Sequence, residues 1–270
     1  MRLLDWLSAR TESLTRNVAD AGSAALYVRQ LLRGNRLRVV PSPPPTGPRV
    51  HPPSGRPPVL LVHGYLATRG SLHLLERHLT ERGHVVLTYR MGPVNVGGIR
   101  QAAGLIARKV ESLVQQTSVR RVHVVGHSMG GLVGLYYVKR LGGRDRVSKL
   151  IMLGSPVLGT WSAVLGLVTA PLGRASVELL PGSPVLRELR SEPLPLGVEV
   201  VTVAGDRDFL APDGATRLEG VRHISLAASH SGLLVDPRVA DTIDALLREE
   251  PVSSGGPDDK AARAGRGSAG

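Results

Sequence analysis

Three kinds of residue in this sequence could together carry out nucleophilic chemistry on an acyl group: a serine set between glycines, a pair of aspartates and a late histidine. The serine is Ser128, in Gly126-His127-Ser128-Met129-Gly130. This G-x-S-x-G pattern follows an apolar run, Val122 to Val125, and opens a helical stretch, so it falls on a strand, a tight turn and a helix. A serine on such a turn has a strained backbone and needs small neighbours where strand and helix converge, and its hydroxyl then projects above the sheet. The helix start behind it adds a positive dipole and free amides, which favour a developing oxyanion.

A serine hydroxyl is a weak nucleophile and needs a base. Among nine histidines, His230 stands out: Ser229-His230-Ser231-Gly232 is a polar loop between the last apolar run, His223 to Ala227, and the final helix. His223, the rival, lies at the far end of that run. The base needs a carboxylate to fix its tautomer and stabilise the imidazolium. Gly205-Asp206-Arg207-Asp208, after the run Val198 to Ala204, offers two. Asp208 is preferred because it lies deeper in the loop, ahead of Phe209-Leu210-Ala211-Pro212, which can anchor it. Asp206 suits a turn cap or a pair with Arg207. The resulting order, Ser128, Asp208, His230, fits a nucleophile on a strand-turn-helix. The backbone amides of Tyr65, in His63-Gly64-Tyr65-Leu66, and of Met129 are the expected oxyanion donors, with His63 orienting the loop. Loss of one such donor typically costs about 2.7–4 kcal/mol in the transition state.

These residues need a frame, and the sequence alternates strand and helix signals. Val59–Val62, Val85–Thr88, Val122–Val125, Val147–Leu153, Val198–Ala204 and His223–Ala227 read as strands; 70–82, 98–116, 129–141 and 237–249 read as helices. The pattern predicts an α/β fold with a mostly parallel central sheet flanked by helices. Residues 1–40 contain an amphipathic helix with Leu3, Leu4, Leu7, Leu14, Val18, Ala25 and Leu26 at helical spacing. It is expected to dock on the parent domain or a partner, with peripheral contact to a membrane as the alternative. Residues 41–57 are a proline-rich linker, 58–250 the catalytic domain, 158–195 a small, apolar, Pro/Gly-rich cap segment, and 251–270 a disordered tail.

Composition narrows the classes of function. Apolar residues make up 42% of the 270-residue chain, which suits a folded core, but aromatics only 3%, so Leu, Val, Ala and Ile must build it. The formal net charge of +12 raises nucleic acid or anionic membranes as partners. No nucleic-acid recognition module and no base-stacking platform accompany it, so nucleic acid is not expected. There is no cysteine and no zinc-ligand spacing, hence no thiolate nucleophile and no metal. The first thirty residues carry charges throughout and no stretch approaches the ~20 apolar residues of a membrane span, so a cytoplasmic location is expected.

Leu61-Val62-His63-Gly64-Tyr65, Gly126-His127-Ser128-Met129-Gly130-Gly131 and Gly205-Asp206-Arg207-Asp208 with His230 resemble the lipases and carboxylesterases of the α/β-hydrolase superfamily. The likeness covers residues 58–249. Gly154-Ser155-Pro156-Val157-Leu158-Gly159-Thr160 is similar to the Pro-x-x-Gly-Thr turn of small bacterial lipases. The resemblance implies a minimal α/β-hydrolase fold, without the first antiparallel hairpin and with a short cap. It also implies acyl transfer from a small-molecule or lipid ester to Ser128, hydrolysis assisted by His230, and no cofactor. Thioesterases, acyltransferases and amidases use the same triad, and a non-catalytic module could keep the fold.

Overall fold

A computed structural model of the chain describes residues 3–34, 55–89, 95–164 and 173–249. Most of the proline-rich linker, the middle of the cap segment and the tail after Glu249 lie outside the described residues. The elements in chain order are α1 (Leu3–Arg33), β1 (Val59–Val62), α2 (His73–Glu81), β2 (Val86–Thr88), α3 (Ile99–Gln116), β3 (Val122–His127), α4 (Met129–Arg140) and β4 (Val147–Leu153). Then come α5 (Ala175–Glu178), α6 (Pro184–Ser191), β5 (Glu199–Gly205), α7 (Asp213–Thr216), β6 (Arg222–Leu226), α8 (Gly232–Val235) and α9 (Pro237–Arg248).

The six strands form one sheet in the order β2-β1-β3-β4-β5-β6, with every pairing parallel. A parallel strand covered on both faces reads as a continuous apolar run, which is why Val59-Leu60-Leu61-Val62 is buried at all four positions. Alternate side chains still part company. Leu60, Val62, Val124, Leu150 and Met152 join α3, α4 and α6 in one core. Val59, Leu61, Val125, Ile151 and Val203 join α2, α8 and α9 in the other.

Local signals set several helix boundaries. Asp236 accepts a hydrogen bond from the Arg238 amide and Pro237 follows it, so α9 starts where a capping residue and an N1 proline coincide. Ser183 and Pro184 start α6 in the same way. The cap segment is therefore not all loop: α6 buries Val185, Leu186 and Leu189 against the core.

The amphipathic reading of the N-terminal helix needs a correction. Over its described side chains, α1 is covered at Asp20, Ser23, Leu26, Tyr27, Gln30 and Leu31, so Leu26 of the apolar stripe lies on the docked face, whereas Val18, at 71% exposure, and Ala25 face outward; the side chains of Leu3, Leu4, Leu7 and Leu14 lie outside the described residues. Hydrogen bonds, a ring and backbone contacts add to Leu26 in setting the docking face, so a stripe read from apolar spacing finds it only in part.

Candidate active site

Parallel strands bring their C-terminal ends to one edge of the sheet, and each chemically competent residue follows such an end. Gly64 and Tyr65 follow β1, Ser128 follows β3, Asp208 follows β5 and His230 follows β6.

Ser128 has φ 54° and ψ −126°, a backbone conformation that a side-chain-bearing residue adopts only under constraint. The constraint is visible. The Ser128 amide donates to Leu153 O at 2.8 Å and its carbonyl accepts from the Gly131 amide at 3.1 Å. A Cβ at Gly126 would fall into the backbone of Gly130, one at Gly130 into the carbonyl of Val62, and one at Gly131 onto the Ser155 hydroxyl. Three glycines thus let β3 turn into α4 within the space of a backbone, and Ser128 takes up the strain.

The β1 loop closes over this turn. A Cβ at Gly64 would lie 2.9 Å from Ser128 Cβ and 3.4 Å from Ser128 Oγ, so only glycine lets the loop lie against Ser128. Tyr65 comes next, and Met129, fully buried, opens α4, where the first amides of a helix have no intrahelical acceptor. Burial pushes the His63 imidazole down to about 4, and its ring nitrogen Nδ1 lies 3.3 Å from Gly64 O. A neutral His63 therefore donates to the loop.

Sequence reasoning missed Asn95. Its side-chain amide donates to Gly64 O at 3.2 Å and to His63 O at 3.5 Å, while its backbone exchanges hydrogen bonds with Leu66 and Ala67. Asn95 is buried and so holds the loop from behind. Its only signal in the sequence is a polar residue between two valines, in a Gly- and Pro-containing loop beyond β2.

Asp208 and His230 meet: Asp208 Oδ2 lies 2.6 Å from His230 Nδ1. The other carboxylate oxygen accepts the Leu210 amide at 2.9 Å and the Ala211 amide at 2.8 Å. The segment expected to anchor this aspartate supplies those two amides. Gly154, at φ 53°, lies behind the pair, with a Cβ there 3.0 Å from Asp208 Oδ2 and 3.3 Å from His230 Nδ1. His127 adds a contact from the Ser128 side: its Nε2 lies 3.0 Å from His230 O and the two rings are 4.5 Å apart. Burial and the neighbouring His230 hold the His127 ring well below the usual histidine range, so it is neutral and donates from Nε2.

The rival residues sit elsewhere. Asp206 accepts the Ala228 amide and the Arg207 guanidinium, each at 3.1 Å, and so both caps its turn and pairs with its neighbour. His223 is held between Thr202 Oγ1 at 2.8 Å and Asp213 Oδ1 at 3.0 Å. Among the described residues, no group of three or more His, Asp or Glu could hold a metal ion, and no helix is long and apolar enough to cross a membrane.

A strained serine between β3 and α4, at the C-terminal edge of a parallel sheet, places the chain among proteins of the α/β-hydrolase fold. Residues 57–176 match the family model described as the alpha/beta hydrolase fold, a match that includes Ser128 and ends before Asp208 and His230. Solved structures agree on the architecture. The mature form of Bacillus licheniformis lipase BlEst2 is similar at a TM-score of 0.62 and 19% identity over 74% of this chain and 96% of that one. Its propeptide form gives 0.64 and 19% over 76% and 53%. Aspergillus fumigatus lipase B gives 0.63 and 16% over 77% and 56%. The chain thus spans about half the length of the last two.

Proposed function

We propose that the chain is a serine hydrolase that cleaves carboxylic esters of apolar acyl groups. The observation that carries this reading is the Asp208–His230 hydrogen bond of 2.6 Å at the same sheet edge as the strained Ser128. In this reading Ser128 Oγ attacks the ester carbonyl as its proton passes to His230 Nε2. The oxyanion is held by the amides of Tyr65 and Met129, and the alcohol leaves with the proton from His230. Water then adds to the acyl-enzyme by the same route and regenerates Ser128. Asp208 keeps Nδ1 of His230 protonated, which leaves Nε2 free to accept.

An apolar acyl group is favoured by what surrounds the acid loop. Thr160 Oγ1 donates to Leu210 O at 2.6 Å, tying the cap segment to the loop that carries Asp208. Leu158, Trp161, Phe209 and Leu210 on these two strips of chain are exposed, Phe209 by 90% and Trp161 by 74%. The test is turnover of p-nitrophenyl esters of graded chain length. Hydrolysis that strengthens with acyl length and is absent in Ser128→Ala supports the reading; inertness toward every ester overturns it.

A further inference from the structure

α1 bears on three of the segments that carry a group of the site. Arg207, the residue before Asp208, is paired with Asp20 of α1 in a two-pronged contact: Nε to Oδ2 at 2.7 Å and a terminal nitrogen to Oδ1 at 3.2 Å. Both side chains are about three-quarters covered, so the pair is more than a surface contact. Two turns further on, Tyr27 lays its ring 6.5 Å from that of His127, which precedes Ser128 and bonds the His230 carbonyl. Tyr27 also hydrogen-bonds Ser71, and its burial raises the phenol's pKa despite that bond. At its C-terminal end α1 receives a hydrogen bond from Thr68 Oγ1 to Leu31 O at 3.2 Å. There Gly70 lies so close that a Cβ would run into Gln30 O. Thr68, Gly70 and Ser71 continue the loop that carries Tyr65.

One helix thus bears on the acid loop through Asp20, on the residue beside the nucleophile through Tyr27, and on the oxyanion loop through Leu31 and Gln30. These three segments come from β5, β3 and β1, which are far apart in the sequence. A helix added only to cover the core would not need a charged pair at the acid loop or a ring against His127. We infer that α1 is a positioning element of the active site, and that Asp20 and Tyr27 are positioning residues that hold Arg207 and His127, and through them Asp208 and His230, in working register. The inference rests on the triad reading. Small misplacements of such groups are costly, since about 1 Å of displacement can lower turnover by roughly a hundredfold.

The experiment measures kcat, KM and thermal midpoint on a p-nitrophenyl ester for the full chain and its variants. The concentration of folded protein is fixed by circular dichroism. Asp20→Asn and Tyr27→Ala are expected to lower kcat roughly tenfold with KM nearly unchanged. Asp20→Glu and Tyr27→Phe are expected to keep most of it, because they preserve the ion pair and the ring. Exchange of the pair, Asp20→Arg with Arg207→Asp, is expected to recover turnover lost in either single reversal. A purely structural helix gives a different result: lower thermal midpoints with unchanged kcat per folded molecule, or conservative variants as impaired as the severe ones. Either outcome overturns the inference. Ser128→Ala separates this from the underlying reading, because activity that survives in that variant removes the triad itself, whatever α1 does.

Discussion

Asp208 divides its carboxylate between two partners, with Oδ2 2.6 Å from His230 Nδ1 and Oδ1 accepting the amides of Leu210 and Ala211. The two amides fix the carboxylate, and the fixed carboxylate orients the imidazole. Asp206, two residues earlier, has its oxygen on the Ala228 amide and the Arg207 guanidinium instead.

The two aspartates should therefore respond differently to the same change. Asp208→Asn is expected to lower kcat by roughly 10³–10⁴, because an amide cannot hold the imidazole in the accepting tautomer. Asp206→Asn is expected to stay within about fivefold of the parent protein, as the loss of an exposed charge contact. Steady-state ester hydrolysis by both variants decides it, and equal losses would contradict the assignment.

Asn95 offers a test of the oxyanion loop. Asn95→Ala removes the bonds to Gly64 O and His63 O, and is expected to lower kcat by about 10- to 100-fold with little change in KM. That is less than the roughly 10²–10³ for loss of a donor itself. A change confined to KM would place Asn95 outside the oxyanion support.

The sequence made the strands and the placement of Ser128, Asp208 and His230 after strand ends legible, but not the contacts that hold the site. All six runs became strands within a residue or two of their expected bounds; the central ones announce themselves by continuous Val, Leu and Ile because both faces are buried, whereas the edge strand β6 is only partly buried and mixes Ile224 and Leu226 with polar residues. Ser128 was readable from its glycines, since close approach of β3 and α4 demands them. Asn95, the His127 contact to His230 and the docking face of α1 were not readable. Each depends on which loop lies beside which, and no periodicity along the chain encodes that.

Glycines at two positions, one in the turn and one in α3, predict opposite outcomes. Gly130→Ala would drive a Cβ into the Val62 carbonyl and is expected to destabilise the fold by about 2 kcal/mol or more. Gly104 lies within α3, with only the flexible end of Arg108 at 3.6 Å, so Gly104→Ala is expected to stabilise by about 0.5–1 kcal/mol. Urea unfolding midpoints of the two variants test the contrast.

Acid should unfold the protein through its buried histidines. Burial pushes His63 and His123 down to about 4, whereas in the unfolded chain they titrate near ~6.5. Between those values the unfolded state binds the extra protons, so stability falls as pH drops from about 6.5 toward 4, by up to roughly 3 kcal/mol per histidine. Urea midpoints should therefore decline from pH 7.5 to pH 5. The decline should be shallower in His123→Gln, and identical slopes would contradict this account.

The assignment of Ser128 as the nucleophile is tested by covalent trapping. The protein is treated with a fluorophosphonate and the modified residue is mapped by peptide mass spectrometry. One adduct per chain is expected, on Ser128, lost in Ser128→Ala and strongly slowed in His230→Ala. An adduct on another residue, or ester hydrolysis that persists while Ser128 stays unmodified, would contradict it.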